Sequence, residues 1–205
     1  MVLAGEPGSG GGKRPGGRSA RVRGAVLEAA GDALAESGVD GLDPTDVAHR
    51  AGVGRTTVYR RWGSVPALVA DLLEDMAEQP LSGVETGPLL KDLTASAQLV
   101  RETLAHPRQG PLFKAAVAAA TCDERTVAAL HRFYDVRIRE WAPCVEQAVE
   151  RDEIPEGTDA QEVIRAVSAP RYLRLLASGD LLDEGAVDRS ARAAVAAARA
   201  GVYVR

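Results

Sequence analysis

The chain has 205 residues, enough for one large domain or two modest ones, and 45% of them are apolar, ample for a buried core. With aromatics at 4% and alanine used heavily, closely packed helices are favoured over a β-sandwich or barrel. The net charge of −4 excludes a uniformly basic chain, yet residues 1–63 hold nine Lys/Arg against seven Asp/Glu, and the remainder sixteen against twenty-two.

Residues 1–18 are glycine-rich with two prolines and too poor in apolar side chains to fold alone, so they read as a disordered basic tail. The run Gly10-Gly11-Gly12-Lys13-Arg14 is no phosphate loop, because that motif needs glycine in place of Pro7 and Ser or Thr in place of Arg14. Met1 to Gly12 lack the basic start and apolar middle of a signal peptide. From Arg21 the period turns helical: Val22, Val26, Ala29, Ala30, Ala33 and Leu34 form one face, and Gly38 stops the helix. Asp43-Pro44 opens a second, short helix as N-cap and first helical residue, ending at Ala51-Gly52. A third runs from near Gly54 to about Trp62, and a fourth carries Leu68, Val69, Leu72, Leu73 and Met76 until Pro80.

Beyond residues 80–88 helical patterns resume, with helices expected at roughly 89–105, 111–120, 123–152, 159–178 and 185–200. His106-Pro107, Gly110-Pro111, Pro155-Glu156-Gly157 and Ser178-Gly179-Asp180 punctuate them. The fold class is therefore all-α. Residues 19–64 form a three-helix unit with a helix-turn-helix, and residues 65–205 a larger helical domain.

The stretch Thr45 to Trp62 carries the chemistry. Ala48 is small, as a close helix crossing requires, and Gly52 can take the positive φ of a tight interhelical turn. Val47, Ala51, Val53 and Val58 pin both helices onto the first. Gly54, Arg55, Thr56 and Thr57 lie at the helix end that enters the major groove in such motifs, followed by Tyr59, Arg60 and Arg61. Trp62 is expected in the core and Tyr59 partly exposed. Phosphate contacts would set position and base-edge contacts would set sequence.

The run Gly41-Leu42-Asp43-Pro44-Thr45-Asp46-Val47-Ala48-His49-Arg50-Ala51-Gly52-Val53-Gly54-Arg55-Thr56-Thr57-Val58-Tyr59-Arg60-Arg61-Trp62 resembles the DNA-binding signature of the tetracycline-repressor (TetR) family. Arg171 to Leu176 with Gly179 to Asp183 resemble, more weakly, a C-terminal ligand-binding domain of actinobacterial members. The resemblance implies a homodimer on a palindromic double-stranded operator, usually a repressor released by a small-molecule effector. Two positions depart from the family pattern: Asp43 stands where Thr is common, and Val65 where a backbone-facing Lys is common. Both weaken the salt-sensitive part of DNA binding. They keep open a second reading, an all-helical ligand-binding or scaffold protein with weak or lost DNA binding. Lys13, Arg14, Arg18, Arg21 and Arg23 offer replacement cations, as minor-groove arms do elsewhere.

The back domain lacks convergent reactive groups. His49, His106 and His131 are scattered, Ser168 and Ser178 lack a glycine elbow, and Cys122 and Cys144 give neither a disulfide framework nor metal spacing. No apolar run approaches the roughly 20 residues that span a bilayer. The expectation is a reduced, cytoplasmic, non-enzymatic protein without cofactor or metal. Phe113, Phe133, Trp141 and Tyr172, with Arg137 four residues from both Phe133 and Trp141, are candidates for a ligand pocket, although ordinary core with a snorkelling arginine fits them too. The last two helices look like a subunit interface: Val163, Ala166, Val167, Pro170, Leu173 and Ala177 keep to one face of the first, and Val187, Ala191, Ala194, Val195, Ala198 and Val202 to one face of the second. Pro170, inside its helix, is expected to kink it.

Overall fold

In the computed structural model, residues 16–80, 87–178 and 184–205 are described, and among them the architecture is nine α-helices without a β-sheet. Helix α1 spans Gly16–Ser37, α2 Pro44–Arg50, α3 Arg55–Trp62 and α4 Val65–Glu78. Behind them come α5 Leu89–Ala105, α6 Gln109–Ala120, α7 Glu124–Glu150, α8 Ala160–Leu173 with a π-turn at Arg174–Ser178, and α9 Glu184–Arg199. Lys13, Arg14 and most of the proposed tail lie outside the described residues, as does the run Gly179 to Asp183.

The expected face of α1 is the one that folds inward: Val26, Ala29, Ala30, Ala33 and Leu34 are buried, and Val22 packs at the edge. Gly38 ends the helix at φ +68°, where its amide donates to the Leu34 carbonyl at 3.0 Å. Their core does not stop at the front unit. It runs on through α4 to Leu112, Ala115, Ala116 and Ala119 of α6 and to Ala129 and Leu130 of α7. Arg108, at the start of α6, pairs with Asp32 of α1 and donates to the Glu28 carbonyl at 3.2 Å. Helix α4 packs along α7, so it belongs to the front unit at one end and the back bundle at the other.

A second core joins α5, α7, α8 and α9, and it corrects the expected subunit face. Val187, Ala191, Ala194, Val195 and Ala198 of α9, with Val163 and Val167 of α8, are buried within the chain against Leu89, Leu93 and Ala97 of α5. Small side chains did signal close helix packing, but the partner is α5. What α8 and its extension leave outside is Pro170, Leu173 (67% exposed), Leu176 (50%) and Ala177. On α9 the outward side is Ala193 and Ala196, while Ala200 and Val202 are exposed beyond the helix end.

Pro170 lies inside α8. Helix α8 keeps α geometry through Leu173, then widens into the π-turn, the kind of local irregularity often found where helices serve a function.

Candidate nucleic-acid interface and back-domain cavity

Helix α2 begins where its sequence says it should. The Asp43 carboxylate accepts from the Thr45 amide at 2.7 Å, so its charge is engaged at the cap and serves the positive end of the helix dipole. The turn to α3 uses Gly52 at φ +64°, a conformation costly to any side chain, and the Val53 amide donates to the Ala48 carbonyl at 3.0 Å. Val47, Ala48, Val58 and Trp62 are buried beneath this corner, while Ala51 and Val53 pack at its edge.

The other side of α3 is open. Arg55, Thr56, Arg60 and Arg61 are exposed, Thr57 is half-buried, and Tyr59 is 46% exposed; Thr45 and Gly54 complete the same surface. No side chain caps the α3 N-terminus and its first turn holds no acid, so free amides and positive dipole face outward beside a guanidinium. That arrangement suits phosphate and base-edge acceptors alike. Arg61 is more constrained than its sequence suggests: it donates to Ser19 Oγ at 3.2 Å and its guanidinium lies 5.2 Å from the Trp62 ring.

Arg23, counted among the front cations, is not available to DNA. It donates through Nε and Nη2 to Asp71 of α4, at 3.2 and 2.8 Å, and through Nη1 to Asp75 at 2.5 Å. Asp71 also accepts from Trp62 Nε1 at 2.8 Å. Burial alone would raise the Asp71 carboxyl, but hydrogen bonds from Arg23 and Trp62 outweigh it and hold the group below the usual range. One carboxylate thus ties α1 and α3 to α4. The sequence offered no signal for this, since the partners are 48 and 9 residues away from Asp71. Arg18 and Arg21, by contrast, are exposed.

In the back domain a cavity of about 980 Å³ lies among α4, α5, α6, α7 and α8, and all five predicted residues, Phe113, Phe133, Arg137, Trp141 and Tyr172, stand in its wall. Phe113, Phe133, Tyr134 and Tyr172 form a chain of tilted and edge-on rings, with centroids 5.4, 5.5 and 4.9 Å apart. Burial raises the Tyr134 phenol above its ordinary value and pushes Tyr172 up to about 12, so both remain neutral. The sequence reading missed the α5 wall, where Ser96, Leu99, Val100 and Thr103 follow i, i+3, i+4, i+7 spacing, and the α4 end, Met76 and Gln79. Arg137 reaches that end: Nη1 donates to Glu140 Oε2 at 2.6 Å and Nη2 to the Met76 carbonyl.

Among the described residues no group of His, Cys, Asp and Glu is placed to hold a metal, and no helix is long and apolar enough to cross a membrane. Both cysteines are free; burial pushes Cys144 up to about 12, far from a thiolate nucleophile.

Residues 84–194 match the family described as tetracyclin repressor-like, C-terminal domain. The chain is 31% identical over 147 residues to the HTH-type transcriptional regulator AqdR of Rhodococcus erythropolis, covering 72% of this chain and 70% of that one. It is 28% identical over 164 residues to the HTH-type regulator YdeS of Bacillus subtilis, covering 80% and 82%. A crystal structure of a TetR-family regulator from Mesorhizobium loti shares the fold at TM-score 0.66 and 18% identity, over 92% of this chain and 99% of that one.

Proposed function

The chain belongs to the tetracycline-repressor family of transcriptional regulators, and on that premise we propose that it is a cytoplasmic homodimer that reads a palindromic operator with the start of α3 and leaves it when a small molecule fills the cavity. The family consists of regulators rather than enzymes, and the open, uncapped α3 terminus carrying Arg55, Thr56 and Thr57 over a buried Val58–Trp62 base is the observation that carries the reading. Residues 19–64 are the DNA-binding unit. Arg55 and Thr57 are assigned base-edge contacts, and Thr45, Tyr59, Arg60 and Arg61 phosphate contacts, with Gly54 and Thr56 admitting the backbone close to the duplex.

Helix α4 supports release by a ligand. Asp71, near its middle, holds Trp62 of α3, and Met76 and Gln79, at its end, wall the cavity. A guest that moves Met76 moves the helix on which the DNA-reading unit is fastened. Subunits are proposed to meet through the outward sides of the last two helices, Leu173 and Ala177 with Ala193 and Ala196, because exposed leucines beside small residues otherwise sit in water. Selection of genomic fragments by the purified protein, followed by release with candidate small molecules, tests the whole proposal. A two-fold symmetric site lost on adding a cavity ligand is expected; enrichment of no fragment would overturn it.

A further inference from the structure

The charges around the cavity are cancelled from within the protein. Arg137 is committed in three directions: to Glu140, to the Met76 carbonyl, and to the Phe133 face, with its guanidinium carbon 5.2 Å from the ring centroid. Its side chain is only 16% exposed and that of Glu140 25%. The other wall cation, Arg165, meets Glu162 Oε1 at 2.8 Å and Gln161 Oε1 at 3.2 Å, with wall residue Asp135 at 4.0 Å. His131 stands exposed at the rim.

An anionic guest would therefore bring a second negative charge beside a guanidinium that Glu140 already balances in a half-buried site, a costly approach. A cationic guest finds Glu140 paired with Arg137, and Asp135, solvated at the rim, faced by Arg165 at 4.0 Å. What remains for a guest is the aromatic wall and neutral hydrogen-bonding groups, chiefly the mutually bonded Tyr134 and Tyr172 hydroxyls. Resting on the reading of this cavity as the effector site, we propose that it selects an uncharged, largely apolar aromatic molecule, and that Glu140 is the specificity-determining residue that bars anions by occupying Arg137.

The test uses three probes of one shape: methyl 9-anthroate, 9-anthracenecarboxylate and 9-(aminomethyl)anthracene. Each is titrated into the full-length protein, and binding is read as energy transfer from Trp141 in the wall, with Trp141→Phe identifying its share. The neutral ester should bind at least about tenfold more tightly than either charged probe, because a guest charge unbalances a half-buried site whose own charges are already matched. In Glu140→Gln the carboxylate should gain most of that factor while the ester is unchanged. A wild-type carboxylate or amine bound as tightly as the ester overturns the charge selection but leaves the cavity a ligand site. Transfer from none of the three overturns the effector reading itself. No gain for the carboxylate in Glu140→Gln, in a protein whose circular dichroism matches wild type, removes Glu140 from the account. The wild-type series decides charge selection even if that variant fails to fold.

Discussion

Asp71→Asn probes the tie between the DNA-reading unit and α4. The amide keeps the shape but not the charge, and its single oxygen can serve Arg23 or Trp62 while its NH₂ confronts the other donor. Hydrogen bonds to a charged group contribute about 1.5–3 kcal/mol each, and an unsatisfied buried donor costs about 1–3 kcal/mol. Asp75, at 2.5 Å, keeps part of the Arg23 pairing, and Arg23 and Asp71 are modestly solvated, at 21% and 17% side-chain exposure. A net loss of about 2–3 kcal/mol follows, or about 4–12 °C in Tm for a chain of this size. Acid adds a second signature. The folded carboxyl lies below its reference value of 3.8, so its stabilisation is complete above that value and fades as pH falls through the folded one. Wild type should therefore lose its advantage over Asp71→Asn on acidification below 3.8. Thermal melting followed by circular dichroism at neutral and acid pH measures both effects. A neutral-pH difference under about 1 °C, or one that does not narrow in acid, would mean that Asp71 does not fasten α1 and α3 to α4.

Arg55→Ala and Thr57→Ala should each weaken operator binding by about 1–3 kcal/mol in fluorescence anisotropy, with Tm nearly unchanged because Arg55 is exposed and Thr57 only half-buried. Leu173→Glu should give monomers by sedimentation, since it charges an outward side chain, whereas Ala194→Glu should abolish cooperative folding by burying an unpaired charge against α5; a folded Ala194→Glu monomer would restore the discarded interface. Removing residues 1–15 takes away Lys13 and Arg14, and should lower the slope of log affinity against log salt by up to about 1.8 if both meet phosphates. An unchanged slope would leave Arg18 and Arg21 as the front cations that matter.

Local signals were legible where a residue's role is set by its neighbours in sequence. Asp43, Gly38 and Gly52 announce a cap, a stop and a turn because backbone chemistry near a helix end depends on a few residues. The α1 face and the buried Trp62 followed from period and size. The cavity's aromatic wall was visible because α7 spaces Phe133, Arg137 and Trp141 four apart, on one stripe. What was hidden depends on distant pairing. Arg23 looks like a free cation until α4 brings Asp71 and Asp75 to it. The alanine-valine face of α9 was correctly read as buried but assigned to the wrong partner, since periodicity says that a face is covered and not which helix covers it. Arg137 has the same history: its position was readable, and its pairing with Glu140 and with the Met76 carbonyl was not.

Whether α3 reads DNA is decided by operator selection from a genomic fragment library, run in parallel with the full-length protein and the Arg55→Ala, Thr57→Ala double variant. The account predicts that wild type enriches fragments sharing one two-fold symmetric sequence, and that the double variant, equally dimeric and equally stable, does not. Equal enrichment by both proteins would remove α3 as the reading helix, and enrichment by neither would contradict the assignment of this chain to an operator.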